Sequence, residues 1–217
     1  MEISTMLGML GEGFLVTLQL FIFTLVGALP LGVLVALGRM SRFKIVQLVF
    51  RVYISIMRGT PLMLQLMFIF FAPYYIFGVQ LSMEWRFGAC LVAFIMNYSA
   101  YLAEIYRSGI QSIPRGQYEA AEILGLSKPQ TFIRIILPQV IKRIIPALGN
   151  EVITLVKDTS LAFTIGVAEM FTTARAIVSS QGTLIAFVLA AVFYWIFSFL
   201  VEFLISRAEK KLGYYHD

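Results

Sequence analysis

Charge is scarce in this sequence. Of its 217 residues only 13% are Asp, Glu, Lys or Arg, against about 25% in an ordinary soluble domain, and 59% are hydrophobic. Such a chain has too little polar surface to live in water alone. Cysteine and histidine are nearly absent, each occurring once, as Cys90 and His216. That excludes a disulfide framework within the chain, a Cys/His zinc cluster and a Ser/His or Cys/His catalytic pair inside an apolar segment. There is also no Gly-x-x-x-x-Gly-Lys-Ser/Thr phosphate loop, so any nucleotide hydrolysis belongs to a partner. Metal ligands, catalytic residues and a cofactor of the chain's own are therefore not expected. The net charge of +5 comes without an aromatic-and-basic recognition module, which argues against nucleic acid as a partner.

What is present is a series of long charge-free runs. No formal charge occurs between Glu12 and Arg39, between Arg58 and Glu84, or between Arg175 and Glu202. Each gap exceeds the ~20 residues a helix needs to cross ~30 Å of hydrocarbon. Two further apolar stretches carry polar interiors: Phe87 to about Ile110 holds Glu104 and Arg107, and about Ile141 to Val167 holds Glu151, Lys157 and Asp158. The expectation is an all-α integral membrane protein of five spans, a single transmembrane domain over residues 1–217, with membrane lipid as its solvent. The first apolar stretch, Gly13 to Leu37, is longer than a signal-peptide core and is expected to remain in the mature protein.

Basic residues set the orientation. They gather after span one (Arg39, Arg42, Lys44, Arg51, Arg58), after span three (Arg115, Lys128, Arg134, Lys142, Arg143) and in the tail (Arg207, Lys210, Lys211), whereas the other face offers only Arg86 and Arg175. The N-terminus is then outside and the C-terminus cytoplasmic. Gly59, Thr60 and Pro61 interrupt the entry to span two, and Pro30 with Gly27 and Gly32 interrupts span one.

The connection from 109 to 146 has helical signals of its own. Tyr118 to Leu124 reads as a short helix closed by Gly125, suited to a left-handed cap. Ser127 and Gln130 have capping-box spacing for a following helix, in whose first turn Pro129 is tolerated. On local pattern this is either a solvated linker or a docking element at the cytoplasmic surface.

Glu119, Ala120 and Ala121, then Gly125, then Ile135, Leu137 and Pro138 resemble the EAA loop of bacterial ATP-binding-cassette importer permeases. Arg58-Gly59-Thr60-Pro61-Leu62, the segment Ala100 to Arg107, Gly116 to Ala121, and Asn150 to Leu161 with Lys157-Asp158-Thr159-Ser160-Leu161 extend the resemblance to the polar amino-acid uptake permeases over nearly the whole chain. The resemblance implies a multi-pass subunit of the bacterial cytoplasmic (inner) membrane. It implies pairing with a second permease subunit, an identical copy being the expectation, with two ATPase subunits that bind ATP and Mg, and with an extracytoplasmic amino-acid-binding protein. It also implies that Tyr118, Glu119, Ala120, Ala121, Gly125 and Leu126 couple the permease to the ATPase.

Charges within the bilayer are costly unless they face a cavity or a partner. At ~1.5 Å per residue from Arg143, Glu151 lies about 12 Å deep and Asp158 about 22 Å deep, and Asn97 lies at ~15 Å counted from Arg107. Glu151, Thr154 and Asp158 are spaced to share one helical face. They are candidate substrate contacts with Asn97, and with Ser160 if the helix loosens at Thr159. Interhelical pairing of the charges is the alternative. Glu104, a turn from Arg107, fits an ion pair as well as a ligand role. A competing function is an ion- or proton-coupled secondary amino-acid transporter titrating Glu151 and Asp158. The acidic face suits a cationic amino acid, but equally any α-ammonium group.

Overall fold

A computed structural model describes residues 2–212; His216 lies outside them. Among the described residues every regular element is helical. They run α1 (Ile3–Arg39), α2 (Lys44–Gly59), α3 (Leu62–Phe77), α4 (Trp85–Gln111), α5 (Arg115–Ile123), α6 (Lys128–Thr131), α7 (Leu137–Asp158), α8 (Met170–Gln181) and α9 (Ile185–Leu212). A π-helical segment, Phe132–Ile136, joins α6 to α7, and a 3₁₀ segment, Thr159–Ile165, follows α7. The helices α1, α4 and α9 are each long and apolar enough to cross a bilayer, and the candidate spans number three, or up to five where each of two bent helix pairs counts as one span.

The centre of the bundle is the packing of α1 on α4. Small residues permit the close approach: Gly32 on α1 faces Leu102, Tyr106 and the Ser99 carbonyl of α4, Ala28 shares a buried cluster with Ala89 and Ala93, and Ala36 one with Ala100 and Ala103. A Cβ at Gly32 would stand 2.9 Å from Leu102 Cβ, so the two backbones touch as they do at small-residue crossings in membranes. Contrary to the sequence expectation, α1 is not interrupted at Pro30. A proline removes one ladder bond, a loss that membrane helices tolerate when neighbours pack around it.

The second charge-free gap is also not one straight helix. α2 and α3 meet at 111°. Thr60 is extended (ψ 148°), as the residue before a proline prefers to be, and Pro61 has no N–H to continue the ladder. α3 then runs 16 residues to a left-handed Gly78. At the other end of the chain, the gap between Arg175 and Glu202 is divided. Arg175 belongs to α8, which stops at a left-handed Gly182, and the spanning helix α9 begins at Ile185.

α8 is anchored by Glu169, which is completely buried. Its carboxylate accepts from the backbone N–H groups of Phe171 (2.8 Å) and Thr172 (2.6 Å), from the Thr172 hydroxyl (2.9 Å) and from Tyr194 of α9 (3.0 Å). The Thr17 hydroxyl of α1 accepts from Met170 N–H at 3.2 Å. One carboxylate thus caps a helix and ties it to the span that follows.

Candidate functional site

The last two turns of α7 carry the charged residues. Val156 is fully buried on the side of α7 roughly opposite Glu151, Thr154 and Asp158, and of these three Glu151 and Asp158 are half-buried and Thr154 is exposed. The common face expected from i, i+3 and i+7 spacing is present. Thr154 returns its hydroxyl to Asn150 O at 2.9 Å. Asp158, the last residue of α7, accepts a hydrogen bond at 2.8 Å from the hydroxyl of Tyr98 on α4. Tyr98 is itself buried and stacked on Phe94.

Neither Glu151 nor Asp158 forms an ion pair among the described residues. Glu104 differs: Arg107 Nη2 stands 2.6 Å from its carboxylate and Arg39 Nε 3.9 Å, so the ion-pair reading applies there. Near the α7 carboxylates the cation that comes from another helix is Arg58 of α2, within electrostatic reach of Glu151. Its guanidinium lies over the ring of Tyr101, 5.2 Å from the centroid, one turn along α4 from Tyr98. Helices α2, α4 and α7 therefore present Arg58, Tyr101, Tyr98, Glu151 and Asp158 on adjoining surfaces.

Asn97 and Ser160 are placed differently from the other candidates. The Asn97 amide donates to Met57 O and to Gln65 Oε1, both at 3.0 Å, so it is turned toward the α2–α3 break. Ser160 lies in the 3₁₀ segment, where the helix does loosen, and donates to Lys157 O at 2.7 Å. With Lys157 it lines a shallow depression of about 470 Å³ against Phe171, Phe187 and Tyr194, a wall without Asp158. Tyr98 and Arg58 were not legible as site residues, although Tyr98 and Tyr101 share a helical face by their i, i+3 spacing.

The connection between α4 and α7 folds as two short helices. α5 ends in a paired backbone cap: Leu126 N–H reaches Ala121 O (3.1 Å) and Gly125 N–H reaches Glu122 O (2.9 Å), with Gly125 at φ +74°. This is the geometry that favours glycine past a helix end. Ser127 N–H donates to Gln130 Oε1 at 2.9 Å, opening α6. On α5, Ala121 is buried within the chain, whereas Tyr118, Glu119, Ala120, Ile123 and Leu124 are exposed, Ile123 at 86%.

An all-helical, multi-pass membrane chain with a polar face between broken helices and a capped pair of short helices between two of its long ones has the architecture of a transport permease. The model of the family described as "Binding-protein-dependent transport system inner membrane component" matches residues 28–214. The L-cystine transport system permease protein TcyB of Bacillus subtilis is 39% identical over 95% of this chain and 87% of its own length. The inner membrane amino-acid ABC transporter permease protein YhdY of Escherichia coli is 37% identical over 93% of this chain and 56% of its own. A crystal structure of an amino acid ABC transporter with histidines superposes with a TM-score of 0.87 at 33% identity, covering 97% of this chain and 99% of that one. The chain belongs to the inner-membrane permease subunits of binding-protein-dependent amino-acid ABC importers. It is a non-catalytic membrane component, whose family membership carries an ATPase and a binding protein as partners.

Proposed function

We propose that this permease passes a polar amino acid with a cationic side chain, and that Glu151, Thr154 and Asp158, oriented by Tyr98, form the contact surface for that cation. The carrying observation is the contrast among carboxylates: Glu104 is neutralised within the chain by Arg107 and Arg39, while Glu151 and Asp158 share a half-buried face without an ion pair. Partly buried carboxylates attract an ammonium or guanidinium more strongly than solvated ones do. The similar structure solved with histidines is compatible with this reading. In it Ser160 supplies a neighbouring wall, and Asn97 shapes the site through the α2–α3 break.

The rest of the assembly follows from the same reading. Residues 1–217 form one permease domain with the N-terminus outside and the C-terminus cytoplasmic. The loop 109–146 is then cytoplasmic, and Tyr118, Glu119, Ala120, Ala121, Gly125 and Leu126 shape the helix that docks in the ATPase, to which ATP and Mg bind. Small and apolar side chains, Ala120 with Ile123 and Leu124, suit a groove in that partner. A second, identical permease subunit closes the pathway; the mass of the purified complex tests this, one copy of this chain beside a distinct permease refuting the homodimer.

The decisive experiment replaces Glu151 with Gln, which removes charge with little change of shape. Uptake of arginine or lysine into proteoliposomes should fall while assembly with the ATPase persists. Unaltered apparent affinity and selectivity would exclude the contact, and failure to assemble would make Glu151 a structural residue.

A further inference from the structure

Arg58 occupies a position that its own helix does not explain. It lies in the last turn of α2, immediately before the break at Thr60 and Pro61, and its side chain is exposed and without an ion pair among the described residues. The backbone around it is nevertheless firmly held. Because Pro61 has no N–H, Met57 O lacks the donor that a continuing helix would bring to it. Two side-chain amides fill the vacancy, Asn97 Nδ2 and Gln65 Nε2, each at 3.0 Å. Gln65 Nε2 also donates to Thr60 O (3.1 Å) and Thr60 Oγ1 (2.9 Å). Both amides are buried, and they fix residues 57–60 against α4, which lays the Arg58 guanidinium over Tyr101.

We infer that Arg58 binds the α-carboxylate of the transported amino acid while Glu151 and Asp158 take its cationic groups. The inference rests on the function proposed above and extends it to the other end of the substrate. The charges are complementary: a cationic amino acid carries two positive groups and one negative, and this surface offers two carboxylates for the former and, from a facing helix, the Arg58 guanidinium for the latter, with Lys157 beside Asp158 on α7 itself. A planar guanidinium grips a carboxylate through two parallel N–H donors, which an ammonium cannot do. Tyr101 lies beneath the guanidinium, and the buried Asn97–Gln65 pair keeps its helix end in place.

The test measures binding to the purified permease–ATPase complex without binding protein, by equilibrium dialysis, using L-arginine and L-argininamide, whose α-carboxylate is replaced by a neutral amide. The unaltered complex should bind arginine about tenfold or more tightly than the amide, as a charge-assisted pair requires. Arg58→Gln should bring the two ligands to within about twofold, chiefly by weakening arginine. Arg58→Lys, which keeps the charge and loses the fork, should fall between. An unaltered complex that does not discriminate, or an Arg58→Gln or Arg58→Lys complex that discriminates as fully as the parent, overturns the assignment. Equal weakening of both ligands by Arg58→Gln makes Arg58 a structural partner of Glu151 and overturns it too. If Arg58→Gln does not assemble, Arg58→Lys alone decides. Loss of discrimination at Arg58 with no effect of Glu151→Gln on either ligand would leave the Arg58 contact standing and remove the proposed role of Glu151; no binding of arginine by the parent would sink the site altogether.

Discussion

The Tyr98 hydroxyl donates to Asp158 Oδ2 at 2.8 Å from a ring that is buried against Phe94. A carboxylate held from behind in this way keeps one oxygen engaged and presents the other. Tyr98→Phe removes only the donor. Asp158 then loses the bond that orients it, and apparent affinity for a cationic amino acid should weaken severalfold in proteoliposome uptake. Normal uptake would separate Asp158 from the transport path.

Asn97 gives the second expectation. In Asn97→Leu, Gln65 Oε1 loses its donor and Met57 O keeps only one of its two. An orphaned buried polar group costs about 1–3 kcal/mol. The thermal midpoint of the detergent-solubilised complex should fall, and arginine binding should weaken with it as the α2–α3 break loosens. An Asn97→Leu complex as stable as the parent would show that the bend does not depend on the amides.

Gly125 carries the third. At φ +74° a β-branched side chain is strained by about 1–3 kcal/mol, so Gly125→Val should unwind the end of α5. Uptake and substrate-stimulated ATP hydrolysis should drop together while the permease still inserts. Retained coupling with normal ATPase co-purification would move the docking surface elsewhere in the loop.

Glu169 supplies a stability prediction at a carboxylate that is itself no part of the proposed cation contact. Glu169→Ala strands the Phe171 and Thr172 N–H groups and the Tyr194 hydroxyl in a buried environment. Loss of the helix cap alone costs about 0.5–2 kcal/mol, and the stranded donors add to it. The thermal midpoint should fall clearly, whereas the ratio of arginine to argininamide binding stays that of the parent. An unchanged midpoint would mean that water replaces the carboxylate.

Charge-free length located α1 and α9 because a span is a one-dimensional property of sequence, and α4 was legible as an apolar stretch despite Glu104 and Arg107 near its end. Gly125 and the Ser127–Gln130 pair were equally legible, since caps are built from neighbours a few residues apart. Pro61 marked a break but not its 111° angle, nor the bond that Asn97 of α4 makes to Met57 O there. The division of the fifth apolar stretch at Gly182 was hidden by hydropathy that continues across it. Glu151, Thr154 and Asp158 shared a face by arithmetic. Their neighbours Tyr98 and Arg58 did not emerge, because contacts 60 residues apart in the chain, such as Tyr98 with Asp158, depend on how α4 meets α7.

The broken helix between α2 and α3 bears on what the resting permease keeps out. An opened ladder inside a bilayer ordinarily recruits water to its bare carbonyls, and a file of such waters conducts protons by hopping. Here Met57 O and Thr60 O are satisfied by the side-chain amides of Asn97 and Gln65, groups that neither gain nor lose a proton at physiological pH. The chain turns its sharp corner within its own fabric, and these two carbonyls give such a file no foothold.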